Sequence, residues 1–278
     1  MLRRYWELVK AVFFRHHIIL RDLSRKTEKG TVNLHWWKMS QKQNNLGDYL
    51  STVVVKWMKE KSGIHTDASR SGKTVHLYAI GSIISGGYQN ATIWGSGLIA
   101  GKLFWWRKFR KLDIRSVRGP LTRDLLLKNG YDCPEVYGDP AVLLPLIYMP
   151  QETAKKEDYL FVANHAVYTK DDHTLSPITE DYKSFVDKLT SAKRVVSSSL
   201  HGIILAESYG IPAVMIYQPM VGDFKFRDYY YSTGRYNFPM ATTLEEALTL
   251  TPPPLPDLKE MQKNTMSAFP QDIWQIGC

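Results

Sequence analysis

An arginine directly follows one predicted β-strand, at the point where a helix is expected to begin. The strand spans Ile114–Val117, and Arg118-Gly119-Pro120 then places a proline in the first helical turn, where proline is favoured. A guanidinium beside the unpaired N–H groups of a helix N-terminus can bind a phosphate or a carboxylate. We therefore predict that Arg118 binds an anion; a surface arginine paired with a nearby acid is the alternative.

A second strand end carries serines and a histidine. The predicted strand Arg194–Ser197 runs into Ser198 and Ser199, and the following helix has His201 in its first turn. Serine hydroxyls at a helix start can cap the helix or contact a phosphate. A histidine there can donate a proton or bind an anion, although a lone histidine is more often structural. Its place at a helix start facing that of Arg118 predicts a catalytic role for His201.

Turn-forming residues follow other predicted strands of the first half. Asn44-Asn45-Leu46-Gly47-Asp48 comes after the first strand, and we predict Asp48 as the N-cap of the next helix. Gly95-Ser96-Gly97 follows the strand Thr92–Trp94. Glycines let a ligand approach the backbone closely, but a tight turn explains any one of them equally well. In parallel sheets these strand ends lie beside the ligand crevice.

The elements that position these residues alternate between short apolar runs and helical patterns, which is typical of parallel α/β sheets. We predict two Rossmann-like halves with a cleft between them, residues 31–150 and 157–278, joined by a polar linker at Pro150–Asp158. The predicted strands are Val32 to Trp36, Val75–Ile80, Thr92–Trp94, Ile114–Val117, Glu135–Tyr137, Tyr159–Ala163, Arg194–Ser197 and Ala213–Tyr217. The predicted helices begin near Asp48 and span Asp181–Ser191, Leu200–Tyr209 and, after a proline-rich connector, Asp257–Ala268.

The positive charge is concentrated in two patches. The 278 residues carry a net charge of +9, of which residues 1–30 supply +5 and residues 102–123 supply +7, so the remainder sums to −3. Localised patches on a slightly acidic body argue for small anionic partners and against a broad nucleic-acid groove. We therefore expect no nucleic-acid partner.

Residues 1–30 have the apolar periodicity of an amphipathic helix, with arginines and lysines largely on the other side. Such a helix can rest on an anionic membrane surface, or it can dock on its own domain. The basic segment Lys102–Arg115 within the second patch, with Trp105 and Trp106, can meet a sugar pyrophosphate and its lipid, or it can be a solvated basic loop. Both alternatives stay open from sequence.

The two cysteines, Cys133 and Cys278, build neither a metal site nor a disulfide framework, which favours a cytoplasmic location. No stretch is long and apolar enough to span a bilayer, so we expect at most a peripheral contact with the inner face of the cytoplasmic membrane. We expect no metal, because no acidic or histidine cluster has ligand spacing.

Five motifs occur in the order in which a known family has them, from about residue 31 to 235. On these residues the chain resembles the polysaccharide pyruvyl transferase family, the ketal-pyruvyltransferases of bacterial exopolysaccharides and secondary cell-wall polymers. The motif around His201 is the most specific. The five are Asn45-Leu46-Gly47-Asp48, Gly95-Ser96-Gly97, Ser116-Val117-Arg118-Gly119-Pro120-Leu121-Thr122, Gly138-Asp139-Pro140-Ala141 and Ser198-Ser199-Leu200-His201-Gly202.

This resemblance implies a GT-B-like α/β fold of two Rossmann-like domains with a central cleft. It implies transfer of the pyruvyl group of phosphoenolpyruvate, a co-substrate, onto two hydroxyls of a sugar to form a cyclic ketal, with no cofactor. By position, Arg118 and His201 match the family's donor-binding and catalytic residues, and Lys225 lies near its downstream lysine. We expect the hydroxyls of Ser198 and Ser199 to contact the donor phosphate.

The acceptor is expected to be a saccharide, lipid-linked or nucleotide-linked, in exopolysaccharide or capsule biosynthesis. We assign Asn45, Gly47, Asp48 and Gly95 to its binding, together with His165, which lies where relatives often have Pro-His.

The chain departs from one branch of the family, which has an arginine where this chain has Ser199. One cation of the donor site must then come from elsewhere, for which Arg227 and Arg123 are the candidates. Two other functions stay open: a GT-B glycosyltransferase that uses a nucleotide sugar, and a non-catalytic carbohydrate- or nucleic-acid-binding module. Protection against thermal unfolding by a nucleotide sugar rather than phosphoenolpyruvate would favour the first.

Overall fold

The structure is a computed structural model that describes residues 28–38, 44–86, 89–101, 103, 110–151, 156–164, 172–219 and 222–276. Three sequence predictions fall largely or wholly on other residues: the N-terminal amphipathic helix, His165, and most of the basic segment with Trp105 and Trp106. They lie outside the described residues. Within the described ranges, no helix has the length and apolarity needed to cross a membrane.

The first half of the chain forms a parallel sheet of four strands, which lie side by side in sequence order. Its third strand is buried along its whole length, as expected for a strand inside a parallel sheet. Parallel pairing brings the carboxyl ends of all four strands to the same edge. The strands are β1 (Val32–His35), β2 (Val75–Tyr78), β3 (Ala91–Trp94) and β4 (Leu112–Ser116).

The second half forms a parallel sheet of five strands in the order β6-β5-β7-β8-β9. From β5 the chain adds β6 on one side of the sheet, and β7 then lies on the other side of β5. In open α/β sheets, ligands bind at the carboxyl ends of the two strands where the strand order reverses in this way. The strands are β5 (Leu160–Val162), β6 (Thr174–Leu175), β7 (Val195–Ser197), β8 (Ala213–Ile216) and β9 (Met240–Ala241).

The helices begin where the chain leaves a strand or a polar turn, and several start with a capping side chain. The α-helices are α1 (Leu46–Lys61), α2 (Pro120–Lys128), α3 (Leu144–Ile147), α4 (Tyr182–Thr190), α5 (Leu200–Ser208), α6 (Phe224–Ser232), α7 (Leu244–Thr249) and α8 (Lys259–Ser267). Short 3-10 helices span Ile84–Gly86, Pro140–Leu143 and Gln271–Ile273.

The predicted α/β class with two Rossmann-like sheets is confirmed, and two local predictions are wrong. The N-cap of α1 is Asn45, whose side chain accepts from the N–H of Gly47; Asp48 lies inside the first turn instead. Glu135–Tyr137 is no strand, since only Tyr137 forms a bridge, to Val117. The segment lies beside the first sheet, next to Val117, without forming a continuous hydrogen-bonded strand of it.

The two halves make extensive contacts. The helix α6 of the second half packs against α2 of the first, and one continuous apolar core includes side chains from both sheets. The C-terminal segment returns to the first sheet, where the indole N–H of Trp94 donates to the carbonyl of Thr265 at 2.8 Å. Arg115 at the end of β4 pairs with Asp272. The final helix, α8, therefore packs on the first half although it belongs in sequence to the second. The domain boundary at residues 150–157 stays a prediction.

Candidate active site

Three helices begin at one cavity of about 330 Å³ between the two halves. The N-terminus of an α-helix carries a partial positive charge and unpaired N–H groups, so their convergence favours anions. The helices α1, α5 and α6 contribute Asn45, Asp48, Ser199, Leu200, His201 and Lys225. The loops after β1, β2, β3 and β5 contribute Trp37, Ser82, Ile83, Ile99 and Asn164.

Asp48 projects from the first turn of α1 over a glycine in a left-handed conformation. Gly81 has a φ of +108°, and a Cβ at this position would lie 2.7 Å from a carboxylate oxygen of Asp48. A side chain there would therefore displace the carboxylate. Burial raises the pKa of Asp48 to about 6, partly opposed by His201 and Lys225 and reinforced by Asp139. A carboxyl group that titrates near neutrality suits acid–base catalysis.

His201 lies with its ring against the backbone of α1. A Cβ on Gly47 would lie only 1.9 Å from Nδ1 of His201, so this position accepts glycine alone while the ring keeps its place. Gly47, predicted to bind the acceptor, thus has a packing role in placing His201. The side chain of His201 keeps 14% of its surface exposed and lines the cavity.

On its other side, His201 faces a fully buried carboxylate. Nε2 of His201 is 3.6 Å from Oδ2 of Asp139, and among the described residues neither of these buried atoms has a hydrogen-bond partner. The other oxygen of Asp139 accepts from the N–H of Ala141 and so caps the 3-10 helix Pro140–Leu143. This cap fixes the carboxylate where it can orient the imidazole ring.

Lys225 brings the third titratable group to the cavity, from the first turn of α6. Burial and the nearby charge of Arg118 lower its pKa to about 8, while Asp48 acts in the opposite direction. The ammonium group is therefore largely charged at neutral pH, and within the described ranges no carboxylate forms a close ion pair with it. Such a group favours the binding of an anionic ligand.

Arg118 lies behind the cavity wall and is completely buried. Its Nε donates to Asp228 at 3.1 Å, and its two terminal nitrogens donate to Oγ of Ser82 at 2.7 Å and to the carbonyl of Leu98 at 2.6 Å. Of these partners, Ser82 lines the cavity. Arg118 therefore supports the cavity wall and adds positive charge behind it, in place of the open anion contact that its strand-end position predicted.

Asp228 completes this buried network from the opposite half. Its Oδ1 accepts from the N–H of Thr122 at 2.9 Å and its Oδ2 from the hydroxyl of Thr122 at 2.6 Å. Because the N-cap residue of α2 is Gly119, which has no side chain, the carboxylate of Asp228 does the capping instead. The network fastens α6, and with it Lys225, to the first half.

The serine turn before α5 has one member in the cavity and one behind it. Ser199, the N-cap of α5, lines the cavity and makes no capping hydrogen bond with its side chain. Ser198 is buried, and its hydroxyl accepts from the N–H of Asn164, which ties the ends of β5 and β7 together. Ser199 is thus placed for a ligand, whereas Ser198 shapes the turn.

Three further candidates lie away from the cavity lining. Gly95 has a φ of +81°, and a Cβ there would lie 2.3 Å from Pro140, so close packing accounts for this glycine. Arg227 pairs with Asp223, and Arg123 donates to the carbonyl of Cys133. Among the described residues the cavity therefore has Lys225 as its lysine and no arginine in its lining.

Sequence reasoning assigned no role to Asp139, Asp228, Ser82 or Trp37. Asp139 was part of a recognised motif, Gly138-Asp139-Pro140-Ala141, and its proline signalled a helix start. No sequence signal pairs Asp228 with Arg118, which lies 110 residues away. Over the described part of the chain, no cluster of histidine, cysteine, aspartate or glutamate side chains could hold a metal ion.

Two Rossmann-like α/β sheets with a cleft between them are the arrangement of a GT-B-like fold, and the cleft of this chain combines helix N-termini with titratable side chains. A search of solved structures finds a functionally uncharacterized protein of Klebsiella pneumoniae subsp. pneumoniae NTUH-K2044, with a TM-score of 0.53. It is 14% identical, and the match covers 82% of this chain and 98% of that one, which supports the fold alone.

The family model described as "Polysaccharide pyruvyl transferase" matches residues 45–218, and the chain belongs to this family. Two of the three helix starts at the cavity, those of α1 and α5, lie within the match, and that of α6 follows it. Among curated proteins, the uncharacterized protein L143 of Acanthamoeba polyphaga mimivirus is 28% identical over 225 residues, covering 74% of this chain and 76% of that protein. The family makes this chain a transferase of pyruvyl groups in polysaccharide biosynthesis.

Proposed function

We propose that the protein transfers the pyruvyl group of phosphoenolpyruvate onto two hydroxyls of a saccharide, forming a cyclic ketal and releasing phosphate. The observation that carries this proposal is the cavity where Asp48, His201 and Lys225 meet at three helix N-termini. It combines helix N-termini, which favour anions, with a pKa of about 6 for Asp48 and of about 8 for Lys225. Family membership supplies the pyruvyl transfer, and the cavity's charge supports this donor.

Phosphoenolpyruvate carries a phosphate and a carboxylate, so it needs more than one source of positive charge. Lys225 supplies a cation in the cavity, and the N-terminus of α5 supplies N–H groups with the hydroxyl of Ser199 beside them. Arg118 adds a second cation behind Ser82, whose hydroxyl accepts a hydrogen bond from Arg118 and lines the cavity. Among the residues that the structure describes, no arginine lines the cavity in place of the one that a branch of the family has at position 199.

The first step adds an acceptor hydroxyl across the double bond of the donor. His201, in its protonated form, gives a proton to the terminal methylene carbon while the hydroxyl oxygen bonds to the central carbon. The carboxylate of Asp48 takes the hydroxyl proton. The product is a tetrahedral carbon that carries a methyl group, the carboxylate, the sugar oxygen and the phosphate.

The second step closes the ring. The second hydroxyl oxygen bonds to the same carbon as the carbon–oxygen bond to phosphate breaks, and phosphate leaves with the bonding electrons and the proton of that hydroxyl. His201 and Asp48 then exchange one proton through solvent and return to their starting states. Asp139 keeps the imidazole oriented throughout.

A lipid-linked saccharide in exopolysaccharide or capsule biosynthesis is the acceptor that we propose, at the inner face of the cytoplasmic membrane. The amphipathic pattern of residues 1–30 and the basic segment Lys102–Arg115 support this location. Co-sedimentation with anionic vesicles tests it: the full chain should bind more strongly than one lacking residues 1–27. Equal binding would remove the N-terminal segment from the proposal.

Phosphate release from phosphoenolpyruvate, measured with galactose- and mannose-containing acceptors, tests the proposed reaction. Wild-type protein should release phosphate only when an acceptor is present, and H201A should abolish turnover without lowering the thermal unfolding temperature appreciably. Turnover of H201A at the wild-type rate would refute the assignment. Thermal protection by a nucleotide sugar, with none by phosphoenolpyruvate, would instead favour a glycosyltransferase.

A further inference from the structure

The cavity lining includes two large apolar side chains that the donor chemistry does not use. Trp37 and Ile99 line the same cavity as the charged side chains, with 36% and 51% of their surfaces exposed. Ligand pockets combine apolar and aromatic side chains with a few polar groups, and the apolar part contacts the apolar surface of the ligand. A small anion such as phosphoenolpyruvate has no extended apolar surface to place against an indole or a branched alkyl group.

The residue directly before each of these two side chains is fixed by its own contacts. The carbonyl of Leu98 accepts from Arg118 and its N–H donates to Thr122, so the backbone directly before Ile99 is fixed on both sides. Trp36, directly before Trp37, is buried and packs edge-on against Tyr49 of α1, with 5.9 Å between ring centroids. An apolar surface supported in this way is a preorganised platform.

From this geometry we infer that Trp37 and Ile99 form the acceptor subsite, and that Trp37 stacks against the apolar face of a pyranose ring. A pyranose carries C–H groups on its faces and hydroxyls around its edge, so stacking aims the edge into the cavity. That edge then faces Asp48 and His201. The inference rests on the proposed pyruvyl transfer to a saccharide and adds the residues that select the acceptor.

The stacking residue is expected to act on acceptor binding alone. In W37A, the KM for a galactoside or mannoside acceptor should rise at least about tenfold, equivalent to about 1.4 kcal/mol of binding free energy. The KM for phosphoenolpyruvate should stay within about twofold of wild type, because Lys225 and α5 are untouched. W37F should lie between the two, since a smaller ring still stacks. Y236A removes an exposed aromatic side chain outside the cavity lining and should behave as wild type.

Saturation-transfer NMR on the full chain separates this inference from the proposed reaction. The probes are methyl β-galactopyranoside, methyl α-mannopyranoside and octyl phosphate. We expect saturation of the ring C–H protons of at least one sugar in wild type and in Y236A, and its loss in W37A. Sugar signals that persist in W37A, no sugar signal from wild type, or a signal from octyl phosphate alone would each overturn the subsite.

Failure of the donor assignment has a different signature. If wild type neither binds phosphoenolpyruvate nor releases phosphate from it, while sugar saturation still depends on Trp37, then the proposed reaction is wrong and the saccharide subsite stands. If phosphate release is normal and W37A leaves both KM values unchanged, the reaction stands and the subsite is wrong.

Discussion

Replacement of Asp228 by alanine tests the buried link between the two halves. The carboxylate of Asp228 and the guanidinium of Arg118 are both completely buried, and the ion pair joins α6 to the end of β4. D228A leaves the arginine charge in the interior without its counter-ion. It also removes the hydrogen bonds that cap α2 through Thr122.

The expected loss follows from these contacts. Breaking a buried ion pair by removing one partner destabilises a protein by about 3–5 kcal/mol. Loss of a helix cap costs about 1 kcal/mol and belongs to the same network, so the two do not simply add. Since a domain is stable by about 5–15 kcal/mol, D228A should fold but unfold at clearly lower denaturant concentration.

Urea unfolding followed by tryptophan fluorescence measures this loss, because Trp94 and Trp274 are buried in the core and report its exposure. D223A is the matched control: Asp223 pairs with Arg227 on the same helix, but both side chains are about one third exposed. An exposed pair of this kind is worth less than about 1 kcal/mol. The double variant R118M/D228L, which removes both charges, should be more stable than D228A. If D228A loses no more stability than D223A, the buried link has no energetic role and the reasoning is refuted.

Three further predictions concern the cavity itself. Because the pKa of Lys225 is about 8, the affinity for phosphoenolpyruvate measured by calorimetry should fall as the pH rises above about 8. The variant K225R should remove this pH dependence, since arginine stays charged. The same pH profile in wild type and K225R would contradict a donor role for Lys225. In the folded protein the pKa of Asp48 is about 6, above its ordinary value of 3.8, so folding favours the protonated carboxyl group. Ionisation of Asp48 therefore lowers the stability of the folded protein as the pH rises from about 4 to 6. D48N should therefore raise the melting temperature at pH 7 more than at pH 4 while it abolishes phosphate release, and an active D48N would exclude Asp48 as the base. G47A places a methyl group where Nδ1 of His201 lies, so turnover should fall more than about tenfold. This loss is expected even though alanine is more favourable than glycine in a helix interior by about 1 kcal/mol. Retained activity would show that the position of the His201 ring does not matter for turnover.

Local sequence patterns predicted much of this site, because strand ends and helix starts are local features. The placement of His201 in the first turn of a helix after a buried strand followed from the serine turn and the apolar run before it. Asp48 was correctly placed at a helix start, although Asn45 holds the cap. The parallel sheets followed in the same way from short apolar runs separated by helical patterns.

The partners of these residues could not be predicted, because they depend on tertiary packing. An arginine after a strand looks the same in sequence whether it faces solvent or an aspartate from the other half, and only the fold brings Asp228 to Arg118. Asp139 meets His201 in the same way, through the docking of the 3-10 helix Pro140–Leu143 beside α5. Glu135–Tyr137 has strand-like alternation but lies outside the sheet ladder, where only Tyr137 pairs.

The central claim is that this cavity carries out pyruvyl transfer, and product analysis with labelled donor tests it most directly. The protein would be incubated with phosphoenolpyruvate labelled with carbon-13 at its central carbon and with a galactoside or mannoside acceptor. The carbon NMR spectrum of the products would then be recorded. We predict a labelled ketal carbon bonded to two sugar oxygens in the wild-type reaction, and its absence with H201A. Labelled pyruvate without a ketal, or a ketal formed equally well by H201A, would contradict the account.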